Sequence, residues 1–227
     1  MFKRLFLFSY FCLLFAVVYG QNSYRIKADI TIKIKNSDST FQYTKGTIRY
    51  DRNTKKVIYN ISFPQKEDYI SLDTLIYKYQ NGKLISAKGS PLKPEFSIFH
   101  FILNNDISDF GLKNSSYKAT NVEKKNDLII TKWAAPISPD FPLGNIIVSS
   151  KNKKLETVVI YNKKGIIINR QIFKKYIFIS GIEIPTEILA VNYFQGAKTY
   201  QIIQFDKILI NEPGHDAEYD FQLANTK

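Results

Sequence analysis

The chain carries two histidines, His100 and His215, and one cysteine, Cys12, so few side chains could start covalent or metal chemistry. The histidines lie far apart. Neither belongs to a His-x-x-His or His-Glu-x-x-His run, so a zinc site would need distant carboxylates. No serine sits in a Gly-x-Ser-x-Gly elbow, and Gly89-Ser90-Pro91 reads as a turn. Carboxylates stand near strand ends at Asp68, Asp73, Glu183 and Glu187. Any two could work as acid and base, but nothing in their spacing selects a pair. The best catalytic arrangement on offer is His100 beside Asp106 or Asp109. His100, however, stands in Pro94–Asp106, "PEFSIFHFILNND", where only it and Ser97 interrupt the apolar run Phe96–Leu103. It reads as that segment's single polar contact, against a backbone carbonyl or solvent. The expectation is a binding protein rather than an enzyme, with no catalytic residue, metal or cofactor.

The elements that position this segment begin after a leader. Lys3 and Arg4 precede an apolar run, Leu5–Val18, and Val18-Tyr19-Gly20 ends in a small residue. That three-part pattern reads as a secretory signal peptide over residues 1–20, cleaved after Gly20. The run is shorter than the roughly 20 apolar residues needed to span a bilayer. Residues 21–227 then form the mature domain, 227 − 20 = 207 residues, with its charge lowered from +12 to +10 by loss of Lys3 and Arg4. Cys12 leaves with the leader, which removes disulfides and thiol nucleophiles. Cys12 follows Ser9-Tyr10-Phe11 inside the apolar run, so it does not read as a lipid-attachment cysteine. At this length a core is available without staples. The lysines are scattered along turns and strand edges, as a solvated defence against edge pairing. For an exported basic chain, an anionic membrane surface is a more reachable partner than nucleic acid.

Tyr24–Asn36 alternates strictly. Tyr24, Ile26, Ala28, Ile30, Ile32 and Ile34 lie on one face, and Arg25, Lys27, Asp29, Thr31, Lys33 and Lys35 on the other. One dry and one wet face are typical of an antiparallel sheet. Val57, Tyr59, Ile61 and Phe63 share a face in a second clear strand, ended by Pro64. Asn81-Gly82 supplies a hairpin turn. Further strands are expected through Ile210, with a last short piece near Glu218–Leu223. The total is about eleven consecutive, hairpin-linked strands. Such a meander needs closure or a cover for its apolar face.

Pro94–Asp106 is the candidate cover. Pro94 and Glu95 suit a first helical turn, and Asn-Asn-Asp suits a stop. The periodicity predicts a helix of about ten residues, apolar nearly all round and so buried. A buried strand over Phe96–Ile102 is the alternative, since short apolar runs are ambiguous. The fold class is therefore mainly β (α+β): a curved antiparallel sheet, or unclosed β-barrel, with a short helical lid. Its interior is either a filled core or a ligand cavity.

The stretch from Gly46 to Leu84, "GTIRYDRNTKKVIYNISFPQKEDYISLDTLIYKYQNGKL", followed by this helix, resembles the LolA family of periplasmic lipoprotein carriers. The resemblance implies an unclosed barrel whose lid covers a cavity for lipoprotein acyl chains. It implies that strand residues Tyr59, Ile61, Phe63, Leu75 and Tyr77 meet those chains. The helix residues Phe96, Ile98, Phe99, Phe101, Ile102 and Leu103 would line the same cavity. It also implies that Arg52, or Arg49 as an alternative, latches the lid, against the plainer reading that Arg52 caps an exposed turn. The implied partners are acylated lipoproteins, an inner-membrane ABC transporter that releases them and an outer-membrane acceptor, to which the basic charge adds transient membrane-surface contact. The implied place is the periplasm, as a monomer. The alternative is a non-catalytic envelope domain of the same fold that binds a protein partner or another lipid. The family's opening amphipathic helix has no counterpart in Gln21–Asn36, which implies a smaller lid.

Overall fold

The computed structural model describes residues 24–90, 94–138, 141 and 143–221, and of Phe96 it describes the backbone only. The leader of residues 1–20 lies outside the described residues. β1 (Arg25–Lys35), β2 (Phe41–Asp51), β3 (Lys56–Phe63), β4 (Glu67–Leu72), β5 (Leu75–Gln80) and β6 (Lys83–Gly89) form one meander. A helical crossing follows. β7 (Lys118–Lys125), β8 (Leu128–Ala134), β9 (Leu143–Lys151) and β10 (Lys154–Asn162) then begin a second meander. It ends with β11 (Ile167–Ile179), β12 (Ile182–Phe194) and β13 (Ala197–Ile210).

Among the described residues, all thirteen strands belong to one antiparallel sheet, ordered β6-β5-β4-β3-β2-β1-β13-β12-β11-β10-β9-β8-β7. The count exceeds the expected eleven, and the order is not one continuous meander. The first and last strands pair at its centre, from Ile26 opposite Ile210 to Lys35 opposite Tyr200. β6 and β7 are therefore the two free edges, and the chain must cross from one to the other.

The alternation read from β1 holds in three dimensions: Ile26, Ala28 and Ile30 are buried, while Lys33 and Lys35 are exposed. The buried side of β1 joins Ile48, Tyr50 and Val57 with Val148, Val158, Phe173, Ile188 and Phe205 in one core. This core face receives the crossing. The outer face holds a smaller cluster, Ile58, Ile70 and Tyr79, packed by Tyr77, Leu84 and Phe221.

The C-terminal piece expected as a strand near Glu218 is instead a 3-10 turn, Asp216–Glu218, strapped to the outer face of β1–β3. Asn211 Oδ1 accepts the Tyr24 and Arg25 N–H groups at 2.9 and 3.1 Å. Glu218 binds Lys27 at 3.0 Å and Arg49 at 2.5 Å, which holds its carboxyl down to about 2. The Asn211 contacts satisfy backbone N–H groups at the start of β1, and the Glu218 contacts tie the strap to the side chains of β1 and β2.

Gly46 sits where β2 and β3 slip by one residue: Gly46 lies opposite Ile61, and Lys45 opposite Phe63. A Cβ on Gly46 would overlap the Asn60 carbonyl oxygen and come within 2.9 Å of Ile61 Cα. Gly46→Ala is expected to lower stability by about 1–3 kcal/mol, the usual cost of overpacking, as a lower denaturant midpoint. Gly89→Ala, with nothing within 4 Å of the added carbon, serves as the neutral control.

Candidate ligand-binding site

The crossing begins with a 3-10 turn, Pro94–Phe96, and a six-residue helix, α1 (Ile98–Leu103). It continues through two 3-10 turns, Ile107–Asp109 and Leu112–Asn114, to β7. The helix is shorter than the ten residues expected because both ends are capped early. Ser97 Oγ accepts the His100 N–H at 3.2 Å. At the other end Asn105 takes a left-handed φ of 59°. The Asp106 N–H then reaches back to the Phe101 carbonyl at 2.8 Å, and the Asn105 N–H to Ile102 at 3.1 Å. This is a Schellman stop with asparagine in the place glycine usually holds.

Phe99, Phe101, Ile102 and Leu103 are buried, at 0–6% exposure. They face the core side of the sheet and bridge its two meanders. The Phe99 ring packs 5.0 Å from Phe205 on β13. Phe101 packs 5.0 Å from Phe110, which lies 6.3 Å from Phe173 on β11. Gly111, at φ 68°, lies against the Phe101 ring, where any Cβ would overlap it. Ile98 packs at the margin of this core.

One hairpin, between β2 and β3, holds the cover by polar contacts. Arg52 Nη1 donates to the Leu103 carbonyl at 3.0 Å, one of the orphan acceptors at the helix end. The Tyr50 hydroxyl lies 2.6 Å from His100 Nδ1. Lys55 pairs with Glu95 at 3.1 Å. Arg49, the alternative latch, faces outward and binds Glu218. His100 thus contacts neither a backbone carbonyl nor solvent through Nδ1: a buried tyrosine occupies that nitrogen. Asp106 is engaged by Asn114 at 3.0 Å.

Asp51 shapes this hairpin. It is buried, at 2% exposure. One carboxylate oxygen accepts the Asn53 and Thr54 N–H groups at 2.8 and 3.0 Å, and the other binds Arg25 Nε at 2.6 Å. Arg25 also reaches Asp216 of the C-terminal strap. No signal in the sequence marked Asp51, because a lone aspartate before a turn usually does no more than cap it.

Beside the cover, the core face of β2–β5 opens into a groove of about 550 Å³ lined by Thr44, Tyr59, Ile61, Pro64, Gln65, Glu67, Tyr69, Ser71 and Ile76. That volume lies in the usual range for small-ligand pockets. Tyr59 is shared between groove and core, and burial pushes its hydroxyl pKa up. Glu67, at the rim, accepts from the Tyr69 hydroxyl at 2.6 Å and pairs with Lys78 at 2.8 Å.

Of the strand residues expected at a cavity, Tyr59 and Ile61 line this groove, and three others lie elsewhere. Phe63 points outward: the slip at Gly46 turns it over to lie 5.8 Å from Tyr43. Tyr77 pairs with Ile70 in the outer cluster, and Leu75 shares its parity. Ile76 takes their place on the groove side. The helix residues Ile98, Phe99, Phe101, Ile102 and Leu103 come together under the cover, and the Phe96 side chain lies outside the described residues.

Burial holds the His100 imidazole below its ordinary value of 6.5. Glu95 and Asp106 oppose that shift, while Lys55 and Arg52 add to it. Burial keeps the Tyr50 hydroxyl far above its usual range, so a neutral Tyr50 shares the hydrogen bond with His100 Nδ1. The unfolded chain then binds more protons than the folded one between the lowered pKa and 6.5. Stability from this contact is complete above 6.5 and is lost as pH falls through the lowered pKa. Melting temperature should therefore fall as pH is lowered below 6.5, with a smaller fall in His100→Gln. Asp51→Ala should cost about 2–4 kcal/mol in denaturant unfolding, since it strips Arg25 of a buried partner and two turn N–H groups of their acceptor.

No protein-family model matches the sequence, and no curated protein matches it. Solved structures do match in shape. A domain named as an outer membrane lipoprotein-sorting protein from Vibrio parahaemolyticus superposes with a TM-score of 0.61 at 13% identity, covering 86% of this chain and 89% of its own. A LolA superfamily protein from Nitrosomonas europaea gives 0.58 at 11% identity, covering 86% and 88%. A DUF1329 family protein from Desulfovibrio piger gives 0.62 at 11% identity, covering 88% and 91%. An unclosed antiparallel sheet with a helical cover on its core face is thus the fold this chain shares with LolA superfamily proteins.

Proposed function

We propose that the protein is a periplasmic carrier that buries the acyl chains of lipoproteins between its sheet and the displaceable cover. In this reading it accepts them from an inner-membrane ABC transporter and passes them to an outer-membrane acceptor. The observation that carries it is the hold on the cover: apolar packing below, and polar contacts from a single hairpin at Arg52, Tyr50 and Lys55. These contacts are few and come from one hairpin, so they can be released together without breaking the strand ladder.

Magnitudes support an exchange. Burying Phe99, Phe101, Ile102 and Leu103 contributes about 1.5–3 kcal/mol each, so the cover's packing amounts to about 6–12 kcal/mol. An acyl chain of about twelve methylenes, at roughly 0.8 kcal/mol apiece, gains about 10 kcal/mol. The two nearly balance, so the cover can yield to a chain and later expel it. The groove at Tyr59, Ile61 and Ile76 gives the incoming chain a first apolar surface before the cover moves.

The test is titration with a fluorescent fatty acid, with mass spectrometry of molecules co-purified from the envelope. Arg52→Leu removes one hydrogen bond to the cover, worth about 1–2 kcal/mol, and should tighten probe binding roughly tenfold while slowing release. Ile61→Glu should abolish binding while circular dichroism shows an intact fold, because a charge enters the groove. No displaceable probe binding by the wild type, with a protein partner co-purifying instead of lipid, would replace this reading by a protein-binding domain with a filled core.

A further inference from the structure

The outer face of the central strands differs at its two ends. At one end Arg25, Lys27 and Arg49 are matched by Asp51, Asp216 and Glu218, and the ring of Tyr219 lies 4.8 Å beneath Arg25. The chain's own C-terminal strap covers these cations with carboxylates and aromatic rings. At the other end the same face is bare. Lys35 lies between Phe41 on β2 and Tyr200 on β13, and Lys33 lies between Tyr43 and Ile202. The slip at Gly46 adds Phe63 opposite Lys45.

The result is a field in which cations and apolar groups alternate across neighbouring strands. Phe41 is 75% exposed and Tyr200 48%. Lys33, Lys35 and Lys45 are exposed, and none meets a carboxylate among the described residues. The acids closest along the chain are engaged elsewhere: Asp29 pairs with Lys207 at 3.1 Å, Asp38 is held by Thr40 in the β1–β2 turn, and Asp51 binds Arg25.

We propose that this face docks the protein on an anionic bilayer, with Phe41 and Tyr200 entering the headgroup layer and the three lysines meeting lipid phosphates. Aromatic rings interleaved with lysines suit an interface that is apolar below and negatively charged above. The patch residues lie on an open sheet face and none of them lines the groove at Tyr59 and Ile61. Stacked nucleobases would need open ring faces, whereas Lys35 stands 5.8 Å over Phe41 and Lys45 5.4 Å over Tyr43. The proposal goes beyond the carrier reading. It uses the opposite face of the same strands, so either can fail alone.

The test is co-sedimentation of the purified protein with phosphatidylcholine–phosphatidylglycerol vesicles and with pure phosphatidylcholine vesicles, at low and high salt. Binding should require the anionic lipid and weaken with salt. Lys33→Gln/Lys35→Gln/Lys45→Gln should lose about tenfold or more in partitioning, and the matching arginine triple should retain it. Phe41→Ser/Tyr200→Ser should lose about tenfold. Circular dichroism melts and the fatty-acid titration should match wild type in all three. Equal binding to neutral vesicles, no vesicle binding, or full binding by the glutamine triple would overturn the proposal. So would a solution dimer broken by Phe41→Ser, or binding of a single-stranded oligonucleotide in preference to vesicles.

Discussion

The two edges of this sheet do not meet, and the architecture follows from how the chain deals with that. β6 ends at one edge and β7 begins at the other, with eleven strands between them. Going round the outside would leave the apolar face of every strand in water. Crossing the core face instead lets the connection bury Phe99, Phe101, Ile102, Leu103, Ile107 and Leu112 where the sheet most needs a partner. The cover is therefore not an appendage. It packs on the core face through side chains and is not hydrogen-bonded into the strand ladder.

The β2–β3 hairpin holds the cover in place. Arg52 can reach the Leu103 carbonyl because Asp51 folds the turn beneath it and Arg25 neutralises Asp51 from β1. A contact on the core face thus depends on a buried ion pair whose second arm, through Asp216, belongs to the C-terminal strap on the outer face. The two faces are linked through a few side chains at one end of β1 and β2. Local polar satisfaction and cover position are set by the same carboxylate.

Much of this was legible in the sequence. The period-two pattern of Tyr24–Asn36 gave the buried face of β1 correctly, because a strand paired on both sides has no freedom to turn its side chains over. The Asn-Asn-Asp stop announced the helix end, since asparagine tolerates the left-handed conformation a Schellman turn requires. The faces of Phe63, Leu75 and Tyr77 were not legible. Phe63 shares a parity with Tyr59 and Ile61, but a one-residue slip opposite Gly46 reverses it, and a bulge leaves no periodic trace. Around Leu75 and Tyr77 both sides of the short strands carry apolar residues, because the C-terminal strap covers the outer one. Alternation then selects neither. The strand order was hidden for a related reason: pairing β1 with β13 spans nearly the whole chain, and no local pattern encodes it.

That central seam has a consequence for how the molecule is made. β2 can zip onto β1 as soon as both exist, and each later hairpin can add to its predecessor. The other side of β1 stays a bare ladder of donors and acceptors until β13, the last strand synthesised, arrives to fill it. Contacts of such sequence separation form slowly. The one seam between β1 and β13 therefore joins two runs of consecutive strands, β1–β6 and β7–β13, and the sheet is a single object only through the pairing of the chain's distant ends.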